Sequence, residues 1–174
     1  TVKVTTNDLE SAYLATRHLI TSGCRAPHFL SIRSNLNIIS SRIEGYKKAL
    51  KEQGVKFREK FIINCSASWD SNYAMLLKKF KATNKPDGIL CSIENLSIII
   101  YKICTDLKIK IPEELQIISF SNLDTAAFLN PPLTAITQPA YEIGQAAAAA
   151  LVKALEKKNA VIPNERIIIP SFLT

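Results

Sequence analysis

The chain has 174 residues, of which 47% are apolar and 21% are charged, and it carries a formal net charge of +7. These proportions are ordinary for a globular protein and do not fit a low-complexity chain. The apolar runs are far shorter than the ~18 residues of a membrane-spanning helix, and no secretory signal is visible, so we expect a cytoplasmic protein without a membrane partner.

Helical and strand patterns alternate from the first residues onward. Two helices begin with a predicted capping box, Asn7 with Glu10 and Ser41 with Glu44. An alanine-rich helix follows Pro139, which suits a first helical turn because proline lacks the N–H that would be unpaired there. The predicted helices are 5–20, 40–54, 68–82, 94–108 and 141–158, and the predicted strands are 27–32, 60–64, 86–93 and 115–121.

Short apolar strands that alternate with helices are typical of βαβ units. The sequence therefore predicts an α/β protein with a parallel sheet and helices on both faces. Ligands of such sheets bind beyond the carboxyl ends of the strands. These ends are predicted at residues 33–42, 65–70, 92–95 and 120–124.

The helix at 94–108 has more apolar surface than one sheet requires. Leu96, Ile99, Ile100, Ile103 and Leu107 form one helical stripe, and Ile98 and Tyr101 lie outside it. A helix that covers a sheet needs only one apolar face. The surplus favours a second buried face against a partner chain, and the alternative is a helix tucked under a loop.

The charge and the cysteines have ordinary explanations. The densest basic stretch, 46–60, interleaves its lysines with glutamates and has no aromatic rhythm suited to base stacking, so we interpret it as a solvated helix face. No C-x-x-C pair occurs, and His18 and His28 are not at zinc-ligand spacing. We therefore expect buried reduced thiols, no metal and no cofactor. The cysteines are Cys24, Cys65, Cys91 and Cys104.

The motifs of common enzymes are absent. The chain has no phosphate loop, no G-x-G-x-x-G and no G-x-S-x-G. Three carboxylates, Asp70, Glu94 and Asp124, stand at predicted strand ends, but Asp70 suits a helix cap and Glu94 a first helical turn. We expect no catalytic residues and no enzyme.

Arg42 and Trp69 are the candidate ligand contacts at the carboxyl edge. Arg42 is predicted in the first turn of its helix, where the dipole disfavours a cation, and Trp69, the only tryptophan, lies in a polar loop. An arginine beside an aromatic face suits a polyhydroxylated or anionic small molecule. The alternatives are a surface salt bridge for Arg42 and a cap over the sheet edge for Trp69.

Several motifs together resemble the LacI/GalR family of bacterial transcription regulators. They are AYLATRHLITSGCR, SRIEGYKKALKEQG, PDGILCS, IIIPSFLT and the specific stretch IPEELQIISFSNLDTAAFLNPPLTAITQPAYEIGQAA. The family carries a DNA-binding helix-turn-helix segment followed by a two-lobed effector domain like that of periplasmic sugar-binding proteins. The resemblance implies a chain that begins partway through the first lobe and lacks the DNA-reading segment.

The resemblance also implies lobe boundaries. Residues 1–24 are expected to be the remnant of the first lobe, 25–135 the second lobe, 136–158 the hinge and a returning first-lobe helix, and 159–174 the return to the second lobe. The chain is expected to cross between lobes near 23–27, 136–138 and 159–163.

The family pattern implies effector contacts from Arg42, Trp69, Glu94, Ser121 and Gln138. Ile93 and Glu94 stand where the family often has an Asn–Asp pair, and Ser121 and Asn122 stand where it usually has a ligand-binding aspartate. These departures favour a phosphorylated or otherwise anionic effector over a free hexose. The alternatives are a pocket that has lost its function and a pocket regulated by a partner protein.

The resemblance further implies a homodimer through Ile98, Tyr101 and Lys102, with Phe128 in the stretch 125–130. The expected function is the effector-binding and dimerisation domain of a repressor that senses a sugar or related metabolite and contacts operator DNA through a segment outside this chain. The alternative is a periplasmic-type solute-binding protein of a transport system.

Overall fold

A computed structural model describes residues 1–32, 36–122, 124–156 and 164–174, without the side chains of residues 124 and 125. The strands are β1 (Val2–Thr6), β2 (Pro27–Ile32), β3 (Ile62–Cys65), β4 (Gly88–Cys91), β5 (Gln116–Phe120), β6 (Thr134–Thr137), β7 (Glu165–Ile169) and β8 (Phe172–Leu173). The helices are α1 (Asp8–Thr21), α2 (Asn37–Glu52), α3 (Trp69–Phe80), α4 (Glu94–Leu107) and α5 (Ala140–Glu156).

The main sheet has the strand order β3-β2-β4-β5-β6-β8. Its strands are parallel except β8, which runs antiparallel to β6. The prediction of an α/β fold with a parallel sheet is confirmed. All parallel strands therefore end at one edge, where the helices that follow them begin.

Helices cover both faces of this sheet because successive strand residues point to opposite sides. Leu30 of β2 belongs to the core under α3 and α4, with Leu76 and Ile100. Its neighbour Phe29 belongs to the core under α1 and α2, with Leu19 and Tyr46. These side chains are fully buried, and each contributes roughly 1.5–3 kcal/mol of transfer free energy.

Gly45 lets α1 and α2 approach closely. A Cβ atom on Gly45 would lie 2.0 Å from the backbone oxygen of Leu9. Real Cβ atoms do not approach an oxygen so closely, so only glycine fits at this crossing. The close approach brings the start of α1 beside the first half of α2.

A second, two-stranded sheet is formed by β1 and β7, which pair in parallel. The alanine-rich α5 follows β6 and has no buried residue within its described length. Leu151 and Leu155 of α5 are 60% and 69% exposed. The alanines therefore do not pack into a core here, although their high helix propensity accounts for the helix itself.

The lobe boundaries differ from two of the predicted ones. Helix α1 was expected in the first-lobe remnant 1–24, but Ala12, Ala15 and Leu19 are in the core of the main sheet, so the chain crosses between Thr6 and Asp8. The segment 159–174 was expected to return to the second lobe, but β7 pairs with β1 and only β8 joins the main sheet. The chain leaves β6 at Thr137 and begins α5 at Ala140, beside the predicted crossing at 136–138. The predicted crossing at 159–163 lies outside the described residues.

The predicted start of α2 was also wrong. This helix begins at Asn37 with Leu36 as its N-cap residue, so Ser41 and Glu44 do not form a capping box. Asn7 is the N-cap residue of α1 as predicted, but its side chain makes no capping hydrogen bond. Instead its Oδ1 accepts from the backbone N–H of Ser171 at 2.7 Å. This bond joins the passage between β1 and α1 to the passage between β7 and β8, both of which connect the two sheets.

The four cysteines are free and buried, as predicted for their location. Burial raises the pKa of Cys65 and of Cys104 to about 11, so both are thiols at neutral pH. In the part of the chain that the structure describes, no helix is long and apolar enough to cross a membrane.

Candidate functional site

Four of the five predicted effector contacts meet at the carboxyl edge of the main sheet. Arg42 comes from α2, Glu94 begins α4, Ser121 follows β5 and Gln138 follows β6. Hydrogen bonds and one cation–π contact connect them through neighbouring residues, as described below. Residues 33–35, which belong to the same predicted edge, lie outside the described residues.

Arg42 is held on three sides. Its Nε donates to Oδ1 of Asp8 at 2.7 Å, and its Nη1 donates to the backbone oxygen of Ser92 at 2.6 Å. The guanidinium carbon lies 3.6 Å from the centroid of the Phe120 ring. The residue is only 3% exposed. Arg42 therefore forms part of the floor of the site, beneath its surface.

The environment of Arg42 corrects one expectation. Arg42 is in the second turn of α2, so the argument from an unfavourable helix dipole is wrong. Its side chain is also buried and ion-paired, so we expect it to contribute to the stability of the fold. Burial lowers the pKa of Arg42 and the Asp8 carboxylate opposes this shift, so the buried guanidinium keeps a matched counter-charge.

Glu94 organises the end of β5. Its Oε2 accepts from the Ser121 hydroxyl at 3.3 Å and from the backbone N–H of Asn122 at 3.2 Å. Glu94 lies in the first turn of α4, where the helix dipole stabilises a carboxylate. The structure thus places a negative charge at this edge, beside the neutral Asp8–Arg42 pair.

Asn122 ties the end of β5 to the passage between the two sheets. Its Nδ2 donates to the backbone oxygen of Gln138 at 2.8 Å, and its Oδ1 accepts from the backbone N–H of Gln138 at 2.8 Å. This reciprocal pair fixes the backbone of Gln138 and leaves its side-chain amide outside both bonds. Gln138 lines two cavities of about 650 and 680 Å³, which is the size range of small-molecule sites.

These cavities share Gln138 and no other lining residue. The first is also lined by Ser121, Asn122 and Tyr141. The second is also lined by Asp8 and Ser41. Polar groups of both sheets therefore surround Gln138.

Trp69 is not brought into this cluster. It begins α3 after the edge strand β3 and is 44% exposed. Its role in effector binding stays a prediction. Asp8 was not predicted as a site residue, because an acidic residue in the first turn of a helix such as α1 has an ordinary local explanation. The burial of Arg42 was predictable from the sequence, because Ile39, Tyr46 and Ala49 mark the buried face of α2 on which it lies.

The residues predicted for a dimer interface have different environments. Tyr101 is 9% exposed within the single chain, and its hydroxyl donates to the backbone oxygen of Pro131 at 3.0 Å. Packing under a loop therefore explains Tyr101. Ile98 is half-buried, Lys102 is exposed and ion-paired with Asp106 at 2.7 Å, and Phe128 is 84% exposed. These three remain the predicted interface.

The described residues contain no group of three or more His, Cys, Asp or Glu side chains that could hold a metal ion. The arrangement at the carboxyl edge is instead one of hydrogen-bonding groups around a passage between two sheets. Such an arrangement suits reversible binding of a polar small molecule.

The sequence matches the description of a periplasmic binding protein-like domain over residues 16–173. The chain belongs to this family. Its relatives include LacI-type regulators, so the resemblance expected from the motifs is confirmed. The chain is 29% identical to catabolite control protein A of Priestia megaterium over 158 residues, covering 90% of this chain and 47% of that protein.

Two further comparisons agree with this membership. The chain is 24% identical to the ribose operon repressor of Haemophilus influenzae over 157 residues, covering 90% of this chain and 47% of the repressor. A LacI-family transcriptional regulator from Enterococcus faecium, crystallised with bound ribose, has a TM-score of 0.83 at 24% identity, covering 98% of this chain and 62% of that chain. The chain thus spans about half the length of these curated relatives.

Proposed function

We propose that this chain is the effector-binding and dimerisation part of a LacI-type transcriptional repressor in the cytoplasm, and that it is not an enzyme. The observation that supports this most is the polar cluster of Glu94, Ser121, Asn122 and Gln138 at the passage between the two sheets. Relatives of this chain include repressors. A segment outside this chain contacts operator DNA.

The competing function is that of a solute-binding protein in a transport system. Both functions use the same fold and the same interlobe site. The named relatives are regulators, which favours regulation. In either function the chain binds a small molecule between its lobes, and only the regulator also binds DNA.

The charges of the site favour a neutral polyhydroxylated effector, which reverses the expectation of a phosphorylated one that the sequence departures gave. Arg42 is already paired with Asp8 and covered by Phe120, so its charge is largely satisfied inside the chain. Glu94 adds a carboxylate at the same edge, and a phosphate placed there would be repelled. Carboxylate and amide groups bind sugar hydroxyls well. The ribose-bound relative makes a neutral sugar a suitable first candidate.

The mechanism is a population shift between hinge settings. A hydrogen bond joins Asn122 to Gln138 in the passage after β6. Another joins Asn7, in the passage after β1, to Ser171, in the passage after β7. A ligand that contacts groups of both sheets stabilises one relative setting of these passages. In a homodimer built on α4 and the segment around Phe128, that setting determines the spacing of the DNA-binding segments.

Operator binding by the full-length regulator tests this function. Fluorescence anisotropy of labelled operator DNA is measured with and without a panel of neutral sugars. We expect one sugar to change the operator affinity and the Glu94→Gln variant to lose this response while still binding DNA. A full-length protein that binds a sugar but has no sequence-specific DNA affinity would support the transport function instead.

A further inference from the structure

A large basic cleft lies at the opposite edge of the main sheet from the candidate effector site. Its volume is about 1040 Å³. The loops that follow α1, α2 and α3 surround it, with Gly23, Gly54 and Thr83 in its lining. The cleft is therefore formed where the strands begin, and it shares no lining residue with the two cavities beside Gln138.

The lining carries a high density of positive charge. Six cationic side chains and no carboxylate line the cleft. Among the described residues, only Lys85 of these six forms an ion pair, with Glu114 at 3.3 Å. The nearby Asp87 carboxylate already accepts hydrogen bonds from the backbone N–H groups of Arg25 and Ala26, at 2.6 and 3.0 Å. The six cations are Arg25, Lys56, Arg58, Lys60, Lys79 and Lys85.

Two of the cations, Lys60 and Lys79, are close enough for the charge of one to affect the other. Burial lowers the pKa of Lys79, and the charge of Lys60 lowers it further. His28 lies in the same lining, is 4% exposed, and has Nδ1 at 2.8 Å from the backbone oxygen of Ala26. Because that oxygen only accepts, Nδ1 carries a proton. Like charges held together with fewer acids than cations nearby are unfavourable unless an anion joins them.

Helix ends account for only part of this charge. Three helices end at the cleft, and each carboxyl end carries roughly half a negative charge. Together they offset about one and a half of the six positive charges, and Glu114 offsets one more. Several cations therefore remain without compensation, which is more than helix termination requires.

We propose that this cleft is a second ligand site, which binds a compact polyanion carrying several phosphate groups. The cleft is concave and at the upper end of small-molecule site volumes, which fits a compact anion better than a nucleic-acid duplex. Phe61 is the only aromatic side chain in the lining besides His28, and it is 6% exposed, so no open ring face is available for stacking a base. The proposal does not depend on the effector site.

The test uses tripolyphosphate as the probe and calorimetric titration of the purified protein at physiological salt. We expect one tripolyphosphate per chain, with orthophosphate binding much more weakly. The Lys60→Gln/Lys79→Gln variant is expected to bind at least roughly a hundredfold more weakly, because two charge-assisted contacts are lost. Without ligand this variant should melt no lower than the parent, because it relieves repulsion between two lysines.

The matched control is Lys51→Gln/Lys78→Gln. It removes the same charge from the ends of α2 and α3, at exposed positions outside the cleft, and it should bind tripolyphosphate as the parent does. Equal weakening in both variants, or no binding by the parent, would overturn the proposal. So would tighter binding of duplex DNA or polyglutamate than of tripolyphosphate, since the cleft would then serve a macromolecule.

Discussion

Arg42 and Asp8 form a buried ion pair that links α2 to the first turn of α1, with Nε 2.7 Å from Oδ1. Their side chains are 4% and 11% exposed. Asp8 directly follows the passage from the small sheet, and Arg42 lies under the carboxyl edge of the main sheet. The pair therefore connects the position of the passage with the floor of the candidate site.

Breaking this pair should destabilise the protein. Arg42→Met leaves Asp8 without a counter-charge and should lower the free energy of unfolding by roughly 3 kcal/mol. Asp8→Asn should also lower it, because the guanidinium is more deeply buried. Urea denaturation of each variant measures the effect.

A double-mutant cycle separates the pair from its surroundings. The Asp8→Asn/Arg42→Met variant should lose less stability than the two single variants together, with a coupling free energy of at least about 1 kcal/mol. Strictly additive losses would show that the two residues do not interact and would contradict the geometry described here.

Two glycine substitutions should have opposite effects. Gly45→Ala places a Cβ 2.0 Å from the Leu9 oxygen, so we expect a loss of at least about 3 kcal/mol from overpacking. Gly144→Ala meets no atom within 4 Å and should stabilise α5 by roughly 0.5–1 kcal/mol. Thermal melts of both variants give the comparison. If Gly45→Ala melts like the parent, α1 and α2 do not cross as closely as described.

Stability should fall on mild acidification because of His28. Burial lowers its pKa, a hydrogen bond to Ala26 opposes the shift, and Lys79 and Lys60 lower it further. The unfolded chain therefore takes up the proton first, at its ordinary pKa of 6.5. The stabilisation is complete above this pH and is lost as the pH falls through the lower, folded-state pKa.

Unfolding measured between neutral pH and pH about 5 tests this expectation. The His28→Gln variant should show a flatter dependence of unfolding free energy on pH than the parent. A parent profile that His28→Gln leaves unchanged would assign the acid sensitivity to other groups.

The proposed dimer interface can be separated from internal packing. Phe128 is 84% exposed, so Phe128→Glu should weaken dimerisation of the full-length protein in sedimentation experiments without lowering its melting temperature. Tyr101→Phe removes the hydrogen bond to Pro131 and should cost about 1 kcal/mol of stability while leaving the dimer intact. The reverse pattern would place the interface elsewhere.

The sequence predicted the local elements well where apolar strands are bounded by turn residues. The strands β2, β4 and β5 lie within their predicted ranges, and α4 ends one residue before its prediction. The start of α2 was missed because Ile38 and Ile39 are β-branched, with modest helix propensity. Burial of Ile39 at 4% exposure outweighs that preference.

Long-range pairings were not readable from spacing. Arg42 and Asp8 are 34 residues apart, and β1 pairs with β7 across most of the chain. The predicted lobe boundaries failed for the same reason, because a helix pattern does not reveal which sheet the helix covers. Conversely, Glu94, Ser121 and Gln138 were found because the carboxyl ends of parallel strands share one edge.

The most direct test of the central claim is calorimetric titration of the full-length protein with ribose and with ribose 5-phosphate. The two compounds share the pentose, and the second adds a negatively charged phosphoryl group in place of the 5-hydroxyl. If the site binds neutral sugars as proposed here, ribose binds, and ribose 5-phosphate binds more weakly or not at all. Glu94→Gln should weaken the sugar and not the phosphate. Tighter binding of the phosphorylated sugar, lost in Arg42→Met but kept in Glu94→Gln, would contradict the account.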